Sequence, residues 1–210
     1  MKKHVPFVSN TSDDMHCVPA VFRMVHKYFL KKDISWKEID KILKVVSGKG
    51  TWTFPGLTGF AKKGISIIQI EQVDYENMYR QEPEYLHKVV GEKNAQYYLT
   101  KSNIASVIPF VPDFLKHVHH ETRRGTVEEI IDFLKEGGLV GVEVNSATLN
   151  NNPGFNLHYI LLYDFDEKYI TFHDPGLPPI EGRRITIEDL RKCYDYPGAN
   201  GGITVFKNNT

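Results

Sequence analysis

Apolar residues at Val18, Val21, Phe22, Val25 and Phe29 recur at the spacing of one helix face and predict a helix from about Cys17 to Leu30. Pro19 suits only a first turn, where its missing N–H removes no hydrogen bond. Ser35-Trp36-Lys37-Glu38 has the form of a capping box and opens a second helix through Trp36, Ile39, Leu43 and Val46, ended by Gly48 and Gly50. Pro55 starts a short helix with Leu57, Phe60 and Ala61 inward, and Gly64 closes it. Residues 65 to 70 alternate as a strand does, with Gln69 in phase with Ile65 and Ile67.

From 74 to about 120 the pattern is helical, with Asp74 and Glu82-Pro83 as helix starts and Gly91, Pro109 and Pro112 as breaks. Aromatic residues crowd this region: Tyr75, Tyr79, Tyr85, Tyr97, Tyr98, Phe110 and Phe114. They either pack it onto the rest of the domain or line a substrate cleft. Thr126 caps a helix through Ile130, Ile131 and Leu134 that stops at Gly137-Gly138. A buried strand (139 to 144) and a polar loop (145 to 154) follow, then two strands carrying His158 and Asp174. Thr186 caps a last helix bearing Leu190 and Cys193, and residues 202 to 206 form a closing strand. Helices lead and strands follow, which predicts an α+β fold.

The chemistry starts at Cys17. Backbone N–H groups at a helix start lack intrahelical partners, and the macrodipole favours an anion there, so a thiol in this position can act as a nucleophile. The plain alternative is a small buried hydrophobe. A distant His158 and Asp174 on neighbouring strands add a base and an acid, in the chain order of papain-like thiol enzymes. Facing one another, they place Asp164 opposite Lys168 across the loop Phe165-Asp166-Glu167; a shorter loop at Asp166-Glu167 sets His158 opposite Pro175 instead.

The opening Asp13-Asp14-Met15-His16-Cys17-Val18-Pro19-Ala20, the strand-borne His158 and the turn Asp174-Pro175-Gly176 together resemble the family thirty-nine cysteine peptidases. That family includes the proteases that trim double-glycine leader peptides, along with free-standing relatives. The resemblance implies a papain-like fold as a single domain over 1–210, its N-terminal helical part holding the nucleophile at a helix start. A C-terminal antiparallel sheet would carry the histidine and the acid, and 74–123 would be a helical insertion. It implies Cys17 as nucleophile, His158 as base and Asp174 as orienter, acting on a peptide or amide bond through an acyl-enzyme. Transfer of the acyl group to water or to an amine is equally compatible with these residues. The chain departs from the family at two places: Val18 stands where a Gly usually follows the nucleophile, and Thr11 where a Gln donates to the oxyanion. Asn10, one residue earlier, carries the same carboxamide on a shorter stem, so Asn10 and Thr11 are the oxyanion candidates; the plain alternative is an Asn10 that bonds backbone within a turn. Loss of the Gln also motivates an alternative, an inactive binding module on the same fold.

Rival sites are weaker. His117-Val118-His119-His120-Glu121 lacks the i, i+4 pair of a helical zinc motif and reads as a solvated loop. Cys193 reads as core, and His173 should face away from Asp174. Gly48-Lys49-Gly50 is too short for a phosphate loop, so neither metal nor cofactor is implied.

Composition narrows the class. At 210 residues the chain suits one domain, with 26 basic and 26 acidic residues and no excess charge for nucleic acid. Cys17 and Cys193 form no disulfide framework, and no window approaches the ~18 apolar residues of a membrane span. A cytoplasmic protein without a membrane partner is expected; oligomeric state is left open.

Overall fold

The computed structural model describes residues 3–81, 83–197, 199 and 201–208. Its first part is helical: α1 (Cys17–Leu30), α2 (Trp36–Leu43) and α3 (Phe54–Ala61), followed by β1 (Ile65–Glu71). Then come α4 (Tyr75–Gln81), α5 (Pro83–Val90), α6 (Glu92–Lys101), α7 (Ile104–Val107), a 3-10 turn (Ile108–Phe110) and α8 (Val111–His117). The chain continues through β2 (His119–Thr122), α9 (Val127–Lys135), β3 (Leu139–Asn145), α10 (Ser146–Leu149), β4 (Leu157–Phe165) and β5 (Tyr169–Asp174). It ends with β6 (Ile180–Thr186), α11 (Ile187–Tyr194) and β7 (Ile203–Asn208).

The fold is α+β, built on a mixed seven-stranded sheet in the order β2-β1-β7-β3-β4-β5-β6. Only β1 and β2 pair in parallel; the other neighbours are antiparallel. Strand alternation divides the core in two. Tyr159, Leu161 and Tyr163 of β4 join Val21, Phe22 and Val25 of α1 on one face. Ile160 and Leu162 join Ile130 of α9 and Leu190 of α11 on the other. Both faces are thereby covered, and α1 is held against β4, the strand that carries His158.

The capping boxes at Ser35 and Thr126 form as their sequences predict, each side chain accepting the N–H three residues on. Several boundaries differ from the expectations. The second helix stops at Leu43 because Lys44 turns left-handed, so Val46 lies outside it and the glycines do not end it. The breaks expected at Pro109 and Pro112 are present: α7 ends at Val107, and each proline sits in the first turn of the next element, where it costs no bond. The histidine cluster is not a solvated loop, since His119 and His120 sit in β2 and pair with Ile68 and Gln69. Strand β6 and helix α10 carry no clear periodicity and were not expected. Glu82, one of the anticipated helix starts, lies outside the described residues.

Both expected hairpin registers are also corrected. Phe165 pairs with Ile170 and Asp164 with Thr171, then the register shifts so that Leu162 pairs with Phe172 and Leu161 with His173. Tyr163 is the extra residue of a bulge, a feature with no reliable sequence signature. Continued outward, this register sets Ile160 opposite Asp174 and leaves His158 its diagonal neighbour on the same face. Diagonal pairs remain within reach of long side chains.

The helical region 74–123 shares a core with α1: Tyr75, Tyr85 and Phe114 are buried in the same cluster as Phe22. For these three aromatics packing is the role. Tyr97 and Tyr98 of α6 instead line a cavity, as does Trp52. Trp52 is tied to the start of α7, its indole N–H donating to Ser102 Oγ at 2.9 Å and its backbone N–H to Asn103 Oδ1 at 2.9 Å.

Candidate active site

Cys17 is the first residue of α1, so its N–H is one of the unpaired donors of a helix start. The loop before it is shaped by Asn10. The Asn10 side-chain oxygen accepts the N–H of Thr11 at 2.9 Å and of His16 at 2.8 Å, and its amide nitrogen donates to Asp14 Oδ1 at 2.9 Å. Its own N–H donates to the carbonyl of Pro175 at 2.8 Å, fastening the nucleophile's lead-in to the turn after Asp174. Thr11 is likewise engaged, donating to Asp13 Oδ1 at 2.6 Å and lying 2.8 Å from His16 Nδ1. Neither side chain lines the cavity that Cys17 enters; both shape the loop behind it.

His158 lies near the start of β4 and Asp174 ends β5. His158 Nε2 is 2.7 Å from Asp174 Oδ1, with both side chains buried. That contact leaves Nδ1 as the ring nitrogen available to Cys17. Burial pushes the His158 pKa down, but the Asp174 carboxylate and the Cys17 side chain outweigh it and hold it up at about 10. Asp174 is held below the ordinary carboxylate range: burial opposes this, and His158, the Gly176 N–H and Arg183 prevail. His173 faces the other way, as strand alternation predicts, its Nε2 2.9 Å from the carbonyl of Val5 and its ring against Tyr163. Thus Cys17, His158 and Asp174 come together, whereas Asn10 and Thr11 do not join them.

The cavity has a volume of about 420 Å³ and opens over the starts of α1 and β4. Its walls come from the 48–53 loop and α6, and its floor is a row of polar side chains on the sheet. Tyr159 donates to Thr204 Oγ1 at 2.8 Å, Thr204 to Gln69 Oε1 at 2.6 Å, and Gln69 to Glu71 Oε1 at 2.9 Å. Tyr75 also donates to Glu71 Oε1, and Tyr196 donates to Glu143 Oε1, each at 2.7 Å. Gly141 makes the row possible, because a Cβ there would run into the Tyr159 ring and hydroxyl. Burial pushes the Glu71 carboxyl up to about 7, against the hydrogen bonds from Tyr75 and Gln69. Sequence reading did not find this floor. Its signal was present in Gln69 and Glu71, which fall in phase with Ile65 and Ile67.

Cys193 is fully buried on α11, and burial pushes its thiol up to about 12. His120 packs between Tyr75 and Phe114, and burial lowers its pKa to about 4. Among the described residues no three His, Cys, Asp or Glu side chains are grouped to hold a metal, and no helix is long and apolar enough to cross a membrane. No family model matches the chain, and no curated protein matches it.

Proposed function

We propose that this chain is a papain-like thiol hydrolase or acyltransferase, of the family thirty-nine peptidase kind, acting on an amide or peptide bond. One observation carries the reading: the buried His158 bonds Asp174 through Nε2 while its other side serves Cys17, at the mouth of a cavity. Cys17 Sγ attacks the carbonyl carbon and its proton resides on His158. Asp174 holds the ring in orientation, and His158 returns the proton to the leaving amine as the C–N bond breaks. The acyl-enzyme then passes to water or to an acceptor amine. The Cys17 N–H is one donor to the oxyanion. The setting proposed is cytoplasmic, without a cofactor.

An electrophilic thiol probe tests this. It should label Cys17 stoichiometrically at neutral pH and leave Cys193 unlabelled in the folded protein, and His158→Ala should slow labelling at least about tenfold, in line with loss of a general base. Equal labelling in the variant would end the triad reading.

The second reading is a binding module that keeps the cleft without turnover. It is favoured by Asn10, whose amide donates to Asp14 rather than standing in the cavity. Labelling of Cys17 without turnover of any amide or peptide in a broad panel would select it.

A further inference from the structure

Three groups grip the Asp174 carboxylate. Oδ1 accepts from His158 Nε2 at 2.7 Å and from the Gly176 N–H at 3.0 Å, while Oδ2 accepts from Arg183 Nη1 at 2.8 Å. Arg183 comes from β6, the strand beside β5, and its side chain is only 16% exposed. Its guanidinium lies 5.8 Å from the Phe172 ring centroid and makes two further bonds, Nη1 to Asn150 Oδ1 at 2.8 Å and Nη2 to the Leu149 carbonyl at 2.7 Å. Leu149 and Asn150 open the turn that leads, through Asn156 on the cavity wall, to His158. One planar cation therefore holds both the acid and the segment that delivers the base. A lysine ammonium would replace this rigid planar fork with a compact point charge on a flexible stem.

Resting on the thiol-enzyme reading above, we propose that Arg183 is a positioning residue of the site: it anchors Oδ2 of Asp174 so that Oδ1 meets His158, and its charge keeps that carboxylate ionised. The charged and titratable groups facing Asp174 are His158 from β4 and Arg183 from β6. Cys17 on α1 acts through His158, and on α11 the thiol of Cys193 feels the Arg183 charge. From α10 and its turn come only neutral acceptors. With the guanidinium gone, only His158 and the Gly176 N–H oppose the burial of the acid, and Asp174 binds a proton more readily. A protonated Asp174 no longer favours the imidazolium, and the ring loses its fixed orientation.

The test uses the full chain with Arg183→Met and Arg183→Lys, its aspartates labelled with carbon-13 and the Asp174 signal assigned through Asp174→Asn. Arg183→Met should raise the Asp174 titration midpoint by about one unit, at the low end of what one adjacent opposite charge does. Arg183→Lys, which keeps the charge without the fork, should return that midpoint to within half of the shift. It should nevertheless label Cys17 about tenfold more slowly than the parent, as expected when a catalytic group is displaced by less than an ångström. A wild-type Asp174 midpoint in a folded Arg183→Met protein would overturn the electrostatic part. If Arg183→Met does not fold, Arg183→Lys decides, because parent-like labelling together with an unmoved His158 ring-proton resonance overturns the positioning part. The Asp174 titration needs no turnover, so failure of His158→Ala to slow labelling would sink the triad while leaving this measurement interpretable.

Discussion

Gly176 lies against the His158–Asp174 pair: a Cβ on it would stand 3.0 Å from Asp174 Oδ1 and 3.2 Å from His158 Nε2. Both atoms belong to the bond that fixes the imidazole, and the Gly176 N–H is a further donor to the same oxygen. The residue thus supports the pair through its backbone and spares it a side chain.

Gly176→Ala should therefore displace the pair by a few tenths of an ångström. Residue 176 is not among the left-handed glycines, so alanine meets no backbone penalty there. Cys17 labelling and any turnover should fall by about 10–10², while the urea midpoint changes little. An unaltered labelling rate would show that the ring position tolerates the contact.

Glu71 predicts a pH dependence of stability. Its pKa is raised from 4.5 to about 7 in the folded state, so the unfolded chain releases this proton first. The contribution is fully present below about 4.5, the ordinary glutamate value, and is lost as pH rises through 7. Glu71→Gln should flatten the stability profile across that window, by an amount on the order of 3 kcal/mol at most. Chemical denaturation at pH 4 and pH 8 checks this. A difference between the two pH values as large in the variant as in the parent would place the titration elsewhere.

Gly141→Ala tests the cavity floor. The new methyl would lie 2.8 Å from Tyr159 Cζ and closer to its hydroxyl, displacing the bond to Thr204. Overpacking of this kind costs about 1–3 kcal/mol, read as a lowered urea midpoint with an unchanged slope. A stability equal to the parent's would mean that Tyr159 moves aside freely.

The parts of the fold readable from sequence were those governed by local physics. The spacing Val18, Val21, Phe22, Val25 made α1 legible, and the hydroxyl-to-glutamate spacing made the starts at Ser35 and Thr126 legible. Cys17, His158 and Asp174 were legible because a helix start and two strand positions could each be inferred separately. What failed depended on long-range pairing. Nothing around Tyr163 announces its bulge, and β2 exists because β1 offers it a partner, not because His119-His120-Glu121-Thr122 has strong strand character. Asn10 was a candidate for the oxyanion, but whether its amide turns to the cavity or to Asp14 depends on the whole loop. Arg183 escaped attention because β6 is largely polar and its partners come from two other segments, β5 and the end of α10.

The sheet is open, and its two margins differ from its middle. At one margin β2 is only four residues long and carries His119, Glu121 and an ion pair from Glu121 to Arg123. At the other, β6 carries Arg183 and Arg184, Gly182 turns left-handed, and the pairing with β5 shifts register beside Asp174. Short length, charge and irregular register each make an edge a poor template for a strand from another molecule. The seven-stranded sheet is thus guarded against edge-to-edge growth at both ends, and the guard at the β6 margin contains the same arginine that holds Asp174.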